Sequence, residues 1–463
     1  MNELPILTAG QMREAEQGAI ASGIAEYELM ERAGAAAAEI IWRVGGKRDL
    51  LVLCGPGNNG GDGYVVARLL RARGVPVRVA ALGESRTESS SRARSSWGGP
   101  VGTLEDAGPA TQIVDALFGT GLSRGLDSAL ADRLTSLTEK AAFSYTIDLP
   151  SGVDTDNGAL LSPVPQFGVC IALGALKPAH VLHPAAGCFH RLICADIGVA
   201  ASGQAHRLAA PRLAAPRSVD HKYSRGLVAV VGGSMPGAGS LAAEAAARSG
   251  AGMVRLLAAI DGRSGSNAIV NLQADKAHVV DAHLGDERLA AVLVGPGLGQ
   301  DQDAADRLST VLKCGRPLVL DADALTLLGQ SEAADIPALS ILTPHEGEFA
   351  RVFGELPGSK IDRAREAARR SAAVVILKGA DSVIAAPDGR VAVATGASSW
   401  LSTAGTGDVL AGLVAGRLAV GGDPFGAACE AVWLHGEAAR RAGAAFVADD
   451  LIAQLPAAIA SRL

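Results

Sequence analysis

The chain has 463 residues, more than one ordinary core accommodates, so two domains or one large one are expected. Its net charge of −6 is spread along the sequence with no basic block to collect phosphate backbones, which argues against nucleic acid as a partner. Aromatic residues make up 3% and glycines number 57, so the core must be built from Ala, Val, Leu and Ile, in helices packed closely on a sheet.

The opening "MNELPILTAGQMREAEQ" has no cationic start followed by an apolar core and does not read as a signal peptide. From Met12 to Val44 the apolar positions recur at helical spacing, with Leu29, Ala33, Ala36, Ala37 and Ile40 near one face. Then "DLLVLCG", "VPVRVAALG", "TQIVDALFGTG", "FSYTIDLPSG" and "VCIALGALK" each read as a short buried strand, with a helix from Gly63 to Arg73 between the first two. Such alternation predicts a mainly parallel sheet. The stretch "RLAAPRLAAPR" repeats a Pro-bearing pentamer and reads as a linker, giving domains 1–205 and 221–463 around a linker 206–220. Beyond it the alternation restarts, and "APDG" between two apolar runs predicts a hairpin, hence one antiparallel edge. "VLAGLVAGRLAVGG" is broken by Arg417 and preceded by Asp408, which argues against a membrane span. Cys54, Cys170, Cys188, Cys194, Cys314 and Cys429 form no C-x-x-C pair, so no zinc site or disulfide framework is suggested and a reducing cytoplasm fits.

In "GPGNNGGDGYVVARLL", Gly55, Gly57 and Gly60 fit G-x-G-x-x-G, and Glu84 falls where a ribose-binding acid would sit. Asn58, Asn59 and Asp62 add oxygens that a plain dinucleotide loop does not need. Three readings stay open: a dinucleotide fingerprint, a cradle for a sugar-phosphate and a monovalent cation, or a structural turn. A parallel sheet presents its strand C-termini together, so Asp115, Asp148 and Ser151 should converge on this loop. Asp115, Ser151 and Asn59 offer hard oxygens for a cation, and "GTGLSRG" offers backbone N–H groups for a phosphate. Asp148 is left for proton transfer, unless it only caps the turn before Pro150.

In the second domain "AGTGDVLAG" places a small-residue turn at a helix start, where free N–H groups favour a phosphate or developing anion and Asp408 stands beside them as a base. "TPHEGEF" lacks the second histidine of a zinc H-E-x-x-H, having Phe349 there, and reads as a substrate-contact loop or a locally satisfied His345. Lys378 and Gly379 in "LKGADSV" suit a nucleotide phosphate, or are surface charge and turn. "GPGLG", 295–299, is a weak glycine loop.

Taken together, "LMERAG", "GPGNNGGDG", "DALFGTGL", "DLPSGVD", "HKYSRG", "GGSMPGAGSLAAEAAARSGAGMV", "GPGLG", "DADAL", "TPHEGEF", "LKG" and "AGTGDVLAG" resemble the bifunctional NAD(P)H-hydrate repair enzymes, over nearly the whole chain and in order. The resemblance implies an α/β protein: a Rossmann-like three-layer αβα epimerase domain followed by a ribokinase-like α/β dehydratase domain. The implied substrates are NADH and NADPH hydrated at nicotinamide C6, with ADP as co-substrate. Asn58, Asn59, Gly60, Gly61 and Asp62, with Gly119, Thr120, Gly121, Leu122, Ser123, Arg124 and Gly125, would hold the hydrate. Asp148 would contact it as acid and base, and Asn59, Asp115 and Ser151 would bind potassium. In the second domain Ala242, Gly299, His345 and Asp408 would meet the substrate, and Lys378, Gly379, Ala380, Asp381, Ser382 and Gly407 the nucleotide, with magnesium. A cytoplasmic homo-oligomer without nucleic-acid or membrane partners is expected. Two positions depart from the family pattern: Glu16 stands for an Asp, and Tyr223 for a Gly. The rivals are a small-molecule kinase, since "AGTGD" also serves ribokinase-like phosphotransferases, a nicotinamide dehydrogenase, and a non-catalytic scaffold.

Overall fold

A computed structural model describes residues 4–259, 265–330 and 336–463. The chain divides into two units, Leu4–Ala205 and His206–Leu463.

The first unit carries seven strands: β1 (Leu50–Cys54), β2 (Val77–Ala81), β3 (Val101–Thr103), β4 (Gln112–Ala116), β5 (Phe143–Ile147), β6 (Phe167–Leu173) and β7 (Phe189–Ala195). They lie in the order β3-β2-β1-β4-β5-β6-β7, each neighbouring pair parallel. β1 and β4 are buried at every position, the continuous apolar pattern of strands covered on both faces. The order reverses between β1 and β4, and such a switch point opens a crevice at the strand C-termini. Register sets Leu53 opposite Asp115, so the glycine loop after β1 and the Asp115 turn after β4 flank that crevice.

The second unit contains β8 (Ala205–Arg207), β9 (Leu227–Val231), β10 (Met253–Ala258), β11 (Val270–Gln273), β12 (Leu289–Val294), β13 (Leu318–Leu320), β14 (Ile341–Leu342), β15 (Val374–Leu377), β16 (Val383–Ala385) and β17 (Val391–Val393). The order is β11-β10-β9-β12-β13-β14-β15-β16-β17-β8, with a switch point between β9 and β12. β9 to β15 are parallel to their neighbours, and β16 and β17 form the expected antiparallel hairpin. The α/β class and mainly parallel sheets therefore hold in both units.

Small side chains set the packing. The helix Thr406–Gly421 lies against Pro236–Arg248, where a Cβ on Gly412 would stand 2.1 Å from the carbonyl oxygen of Ala242. Only glycine permits that approach. Val409 to Leu418 are all buried, including Arg417, whose guanidinium pairs with Glu430 at 2.7 Å and reaches the Ser249 carbonyl at 3.1 Å. Among the described residues no helix is long and apolar enough to cross a membrane. The segment read as linker is laid along the second unit. Leu208 N donates to Val393 O at 2.8 Å, Leu213 N to Arg462 O at 2.9 Å, and Leu213 is buried with Leu434 and Ala458. The leucines of the repeated pentamer explain this, being apolar groups with a surface to cover.

Candidate functional sites at the two sheet edges

In the first unit the helix Asn58–Ala72 starts directly after the glycine loop. Gly60 is required by contact, since a Cβ there would lie 1.9 Å from Gly55 O. Asn58 turns aside, Nδ2 donating to Glu26 Oε1 at 3.3 Å while Oδ1 accepts from the Thr87 hydroxyl at 2.5 Å. Asn59 turns in: its buried Nδ2 has no partner among the described residues, and its Oδ1 lies 3.2 Å from the Cβ position of Gly119, where Asp148 Oδ2 lies 3.3 Å away. The loop after β4 and the carboxylate after β5 thus meet over the glycine loop.

Asp115 is fully buried. Its Oδ1 accepts from Leu117 N (3.1 Å) and the Ser151 hydroxyl (2.7 Å), and its Oδ2 accepts from Ser151 N (2.8 Å). Burial nevertheless pushes its carboxyl up to about 6, over the lowering effect of the Ser151 bonds. Asp62, also buried, is pushed well above the usual carboxylate range by burial, then by the charges of Asp148 and Glu16. Thr120, Leu122 and Gly125 are half-buried, and Gly121, Ser123 and Arg124 are exposed at the crevice mouth, with Leu122 N donating to Gly119 O at 3.4 Å.

Asp148 adopts φ 61°, a left-handed conformation uncommon for a non-glycine residue. Three contacts hold it. Its N–H donates to Ile171 O at 2.8 Å, its Oδ1 takes the Lys177 ammonium at 2.5 Å, and its carbonyl takes His180 Nε2 at 2.5 Å. The Lys177 N–H donates to His180 Nδ1 at 2.8 Å, so that nitrogen is the acceptor and Nε2 carries the proton. Burial, then the Lys177 charge, pushes His180 down to about 4, so the ring is neutral at physiological pH.

In the second unit Asp321, after β13, and Lys378, after β15, act on the start of Thr406–Gly421. Gly405 caps that helix with φ 87°, and Thr406 Oγ1 lies 2.8 Å from Leu401 O and 2.9 Å from Thr403 O, tying the preceding strap to the first turn. The first-turn N–H groups have no intrahelical acceptor and are free for an anion. His435, buried and pushed down to about 4 by burial, donates from Nε2 to Thr406 O at 2.9 Å and holds the turn from behind. Asp408 is pushed up to about 6 by burial and then by Asp321, against the lowering charge of Lys378. Lys378 Nζ reaches Asp321 Oδ1 at 2.8 Å and Glu348 Oε2 at 3.7 Å, and lies 3.8 Å from the Cβ position of Gly407. Burial opposes its charge, but the two carboxylates outweigh that and raise it.

The turn Gly379, Ala380, Asp381, Ser382 closes through the Ser382 hydroxyl, 3.2 Å from Gly379 N and 3.0 Å from Gly379 O. Lys360 Nζ pairs with Asp381 Oδ1 at 2.6 Å. Gly299, at φ 88°, donates its N–H to Asp323 Oδ2 at 2.9 Å. His345 caps the helix Glu346–Phe353, its Nδ1 accepting from Gly347 N and Glu348 N at 3.0 and 3.3 Å, with more than half its side chain exposed.

The pattern of the NAD(P)H-hydrate dehydratase family matches residues 228–460, and that of the YjeF-related protein N-terminus matches 26–179. The bifunctional NAD(P)H-hydrate repair enzyme of Salinibacter ruber is 35% identical, over 99% of this chain and 96% of its own. The chain belongs to the bifunctional NAD(P)H-hydrate repair enzymes. The Escherichia coli member is 32% identical over 90% of this chain and 85% of its own. Among solved structures, the ADP/ATP-dependent NAD(P)H-hydrate dehydratase of Bacillus subtilis, co-crystallised with ATP and Mg2+, is 30% identical over 54% of this chain and 95% of its own, with a TM-score of 0.49.

One expected substrate contact is enclosed. Ala242 has no exposed surface and packs against Gly412 in the helix pair. Ala238, one helical turn earlier and half-buried, lies against Gly297 of the 295–299 loop. Sequence reasoning also missed Lys177, His180, Lys360 and His435, and noted Glu16 only as a departure from the family pattern, although its carboxyl, raised by burial, senses both Lys177 and Asp148. A lysine four residues after the buried strand β6 was the available signal.

Proposed function

We propose that the first unit interconverts the R and S epimers of hydrated NADH and NADPH, and that the second dehydrates the S epimer with ADP. The observation that carries this is the pair of proton-carrying carboxylates, Asp148 and Asp408, each at the switch-point edge of its own parallel sheet beside a helix start. The nicotinamide hydrate bears a hydroxyl on C6 next to the ring nitrogen, whose lone pair stabilises the cation left when that hydroxyl departs. Asp148 and Asp62, whose carboxyl burial favours in its neutral form, can give and take the protons that departure and return on the opposite face require.

In the second unit Asp408 takes the proton of the C6 hydroxyl as its oxygen accepts the terminal phosphoryl group of ADP, releasing AMP. The C6–O bond then breaks with phosphate as leaving group, C5 loses a proton, and the dihydronicotinamide returns. The free N–H groups at Thr406–Asp408 stabilise the transferring phosphoryl oxygens, and the Gly379–Ser382 turn positions the nucleotide.

Asn59, Asp115 and Ser151 fit a potassium ion by the chemistry of their donors: an amide oxygen, a fully buried carboxylate that burial pushes up to about 6, and the hydroxyl 2.7 Å from it. Such an ion would neutralise Asp115 and tie the loops after β1, β4 and β5. No dedicated magnesium cage accompanies Asp408. Among the described residues no three acidic or imidazole groups cluster to hold a metal, and Asp321 and Glu348 are engaged by Lys378. Magnesium would enter on the nucleotide phosphates.

The test is recovery of reduced-nicotinamide absorbance from a mixture of R and S hydrates. Fast recovery of the whole mixture that depends on ADP supports both halves; recovery of the S fraction alone removes the epimerase reading; no recovery with ADP or ATP favours the kinase. The six cysteines without a C-x-x-C pair and the metabolite substrates suit a cytoplasmic enzyme.

A further inference from the structure

Lys177 is 1% exposed, and a buried ammonium is retained at a cost unless its protons are satisfied. Two partners are at hand, Asp148 Oδ1 at 2.5 Å and Leu173 O at 2.8 Å. Stability does not explain the pair, because apolar residues of similar volume usually replace a buried ion pair without loss. Its arrangement around Asp148 does suggest a role. Oδ1 is taken by Lys177 and by Leu173 N at 3.3 Å, whereas Oδ2 accepts no hydrogen bond among the described residues and faces the Cβ position of Gly119 at 3.3 Å, beside Asn59. One oxygen is clamped and the other is presented to the crevice.

The groups acting on Asp148 come from several elements. Glu16 lies on the helix Ala9–Ala21, Asp62 on Asn58–Ala72, Cys170 on β6, and Lys177 and His180 follow β6. Glu16 and Asp62 are carboxyl groups, the Cys170 thiol is pushed up by burial and stays neutral, and the His180 ring is neutral. Lys177 is the cation of this cluster, and its backbone N–H also sets the tautomer with which His180 grips the Asp148 carbonyl.

We infer that Lys177 is a positioning residue of the epimerase site, clamping Oδ1 of Asp148 so that Oδ2 alone meets the substrate hydroxyl. This rests on the epimerase reading above. A wild-type chain unable to epimerise overturns that reading, whereas wild-type epimerisation untouched by substitution at 177 overturns this one.

The experiment uses the full chain with Lys177→Met, Lys177→Arg and Lys177→Ala, and follows R-to-S conversion by steady-state kinetics. Dehydration of pure S epimer serves as an internal control, and thermal melting as the check on folding. In Lys177→Met the epimerase kcat should fall about 100-fold, the scale of one proton-transfer group, with KM within about threefold of wild type. Lys177→Arg should keep more activity than Lys177→Met, and ethylammonium, but not ethanol, should raise kcat of Lys177→Ala. Equal activity of the Met and Arg variants, together with an alanine variant indifferent to ethylammonium, would assign Lys177 to packing alone. If Lys177→Ala does not melt as a folded protein, the Met and Arg pair decides by itself, equal rates overturning the inference and a faster Arg variant supporting it.

Discussion

The two sites share a plan and differ in electrostatics. Each lies where strand order reverses in a parallel sheet, and each sets a carboxylate near a helix start. Asp148 has a dedicated buried ammonium at 2.5 Å, while Asp408 has none, because Lys378 is shared between Asp321 and Glu348. Burial, then the Asp321 charge, pushes Asp408 up to about 6, with Lys378 only partly offsetting them. The difference fits the two reactions. Epimerisation is symmetrical and calls for a fixed carboxylate with a proton-sharing neighbour, a part that the proposal gives to Asp62, whose carboxyl burial pushes up, whereas phosphoryl transfer calls for one base whose charge is raised in energy.

The sharpest way to break this comparison is a reciprocal pair of substitutions. Asp148→Asn should lower R-to-S conversion by about 1,000-fold and spare dehydration of S epimer, and Asp408→Asn should do the reverse. Loss of both activities in a folded variant would show that the sites are not separate. Asp148→Asn also strands the Lys177 charge, so destabilisation of about 3 kcal/mol is expected in melting experiments, and the double variant Asp148→Asn with Lys177→Met should recover most of it.

A smaller effect separates the sites by pH. The base form of Asp408 is lost as pH falls through about 6, so kcat/KM for dehydration should drop about tenfold per unit below that point. A profile flat from pH 5 to 8 would remove Asp408 as the base.

The same contrast shows what the sequence made legible. Loops that follow one strand or open one helix, such as Asn58–Asp62 and Gly405–Asp408, are contiguous and could be read directly. Contacts that depend on sheet order could not. Asp148 and Lys177 lie 29 residues apart and meet because β5 and β6 are neighbours, which no local pattern announces. Lys360 and Asp381 meet across 21 residues for the same kind of reason, one opening a helix and the other following β15. Ala242 shows a different limit. In an alanine-rich helix every turn offers the same residue, so the period is visible in the sequence while the partly exposed turn, at Ala238 rather than at the buried Ala242, is not. Lys360 makes this testable: Lys360→Met should release Asp381 and raise the KM for ADP about tenfold, roughly 1.4 kcal/mol, with kcat little changed.

The smallest effect is in stability and has the opposite sign to that at Asp148. The folded-state pKa of Asp408, about 6, lies above the roughly 3.9 of an unfolded Asp. At pH 7 both states are ionised and the folded state bears the cost of a charge held near Asp321. As pH falls from 7 towards 4 the folded state protonates first, so the destabilising contribution shrinks and is gone below the unfolded value. Asp408→Asn removes that contribution without creating an unpaired charge. It should therefore stabilise the second unit at pH 7.5 by about 1 kcal/mol, a Tm rise of about 2–4 °C for a unit of this size, and the advantage over wild type should fade by pH 4. A variant destabilised at pH 7.5, or equally stabilised at both pH values, would mean that Asp408 is held by partners as Asp148 is, and the electrostatic distinction between the two sites would fail.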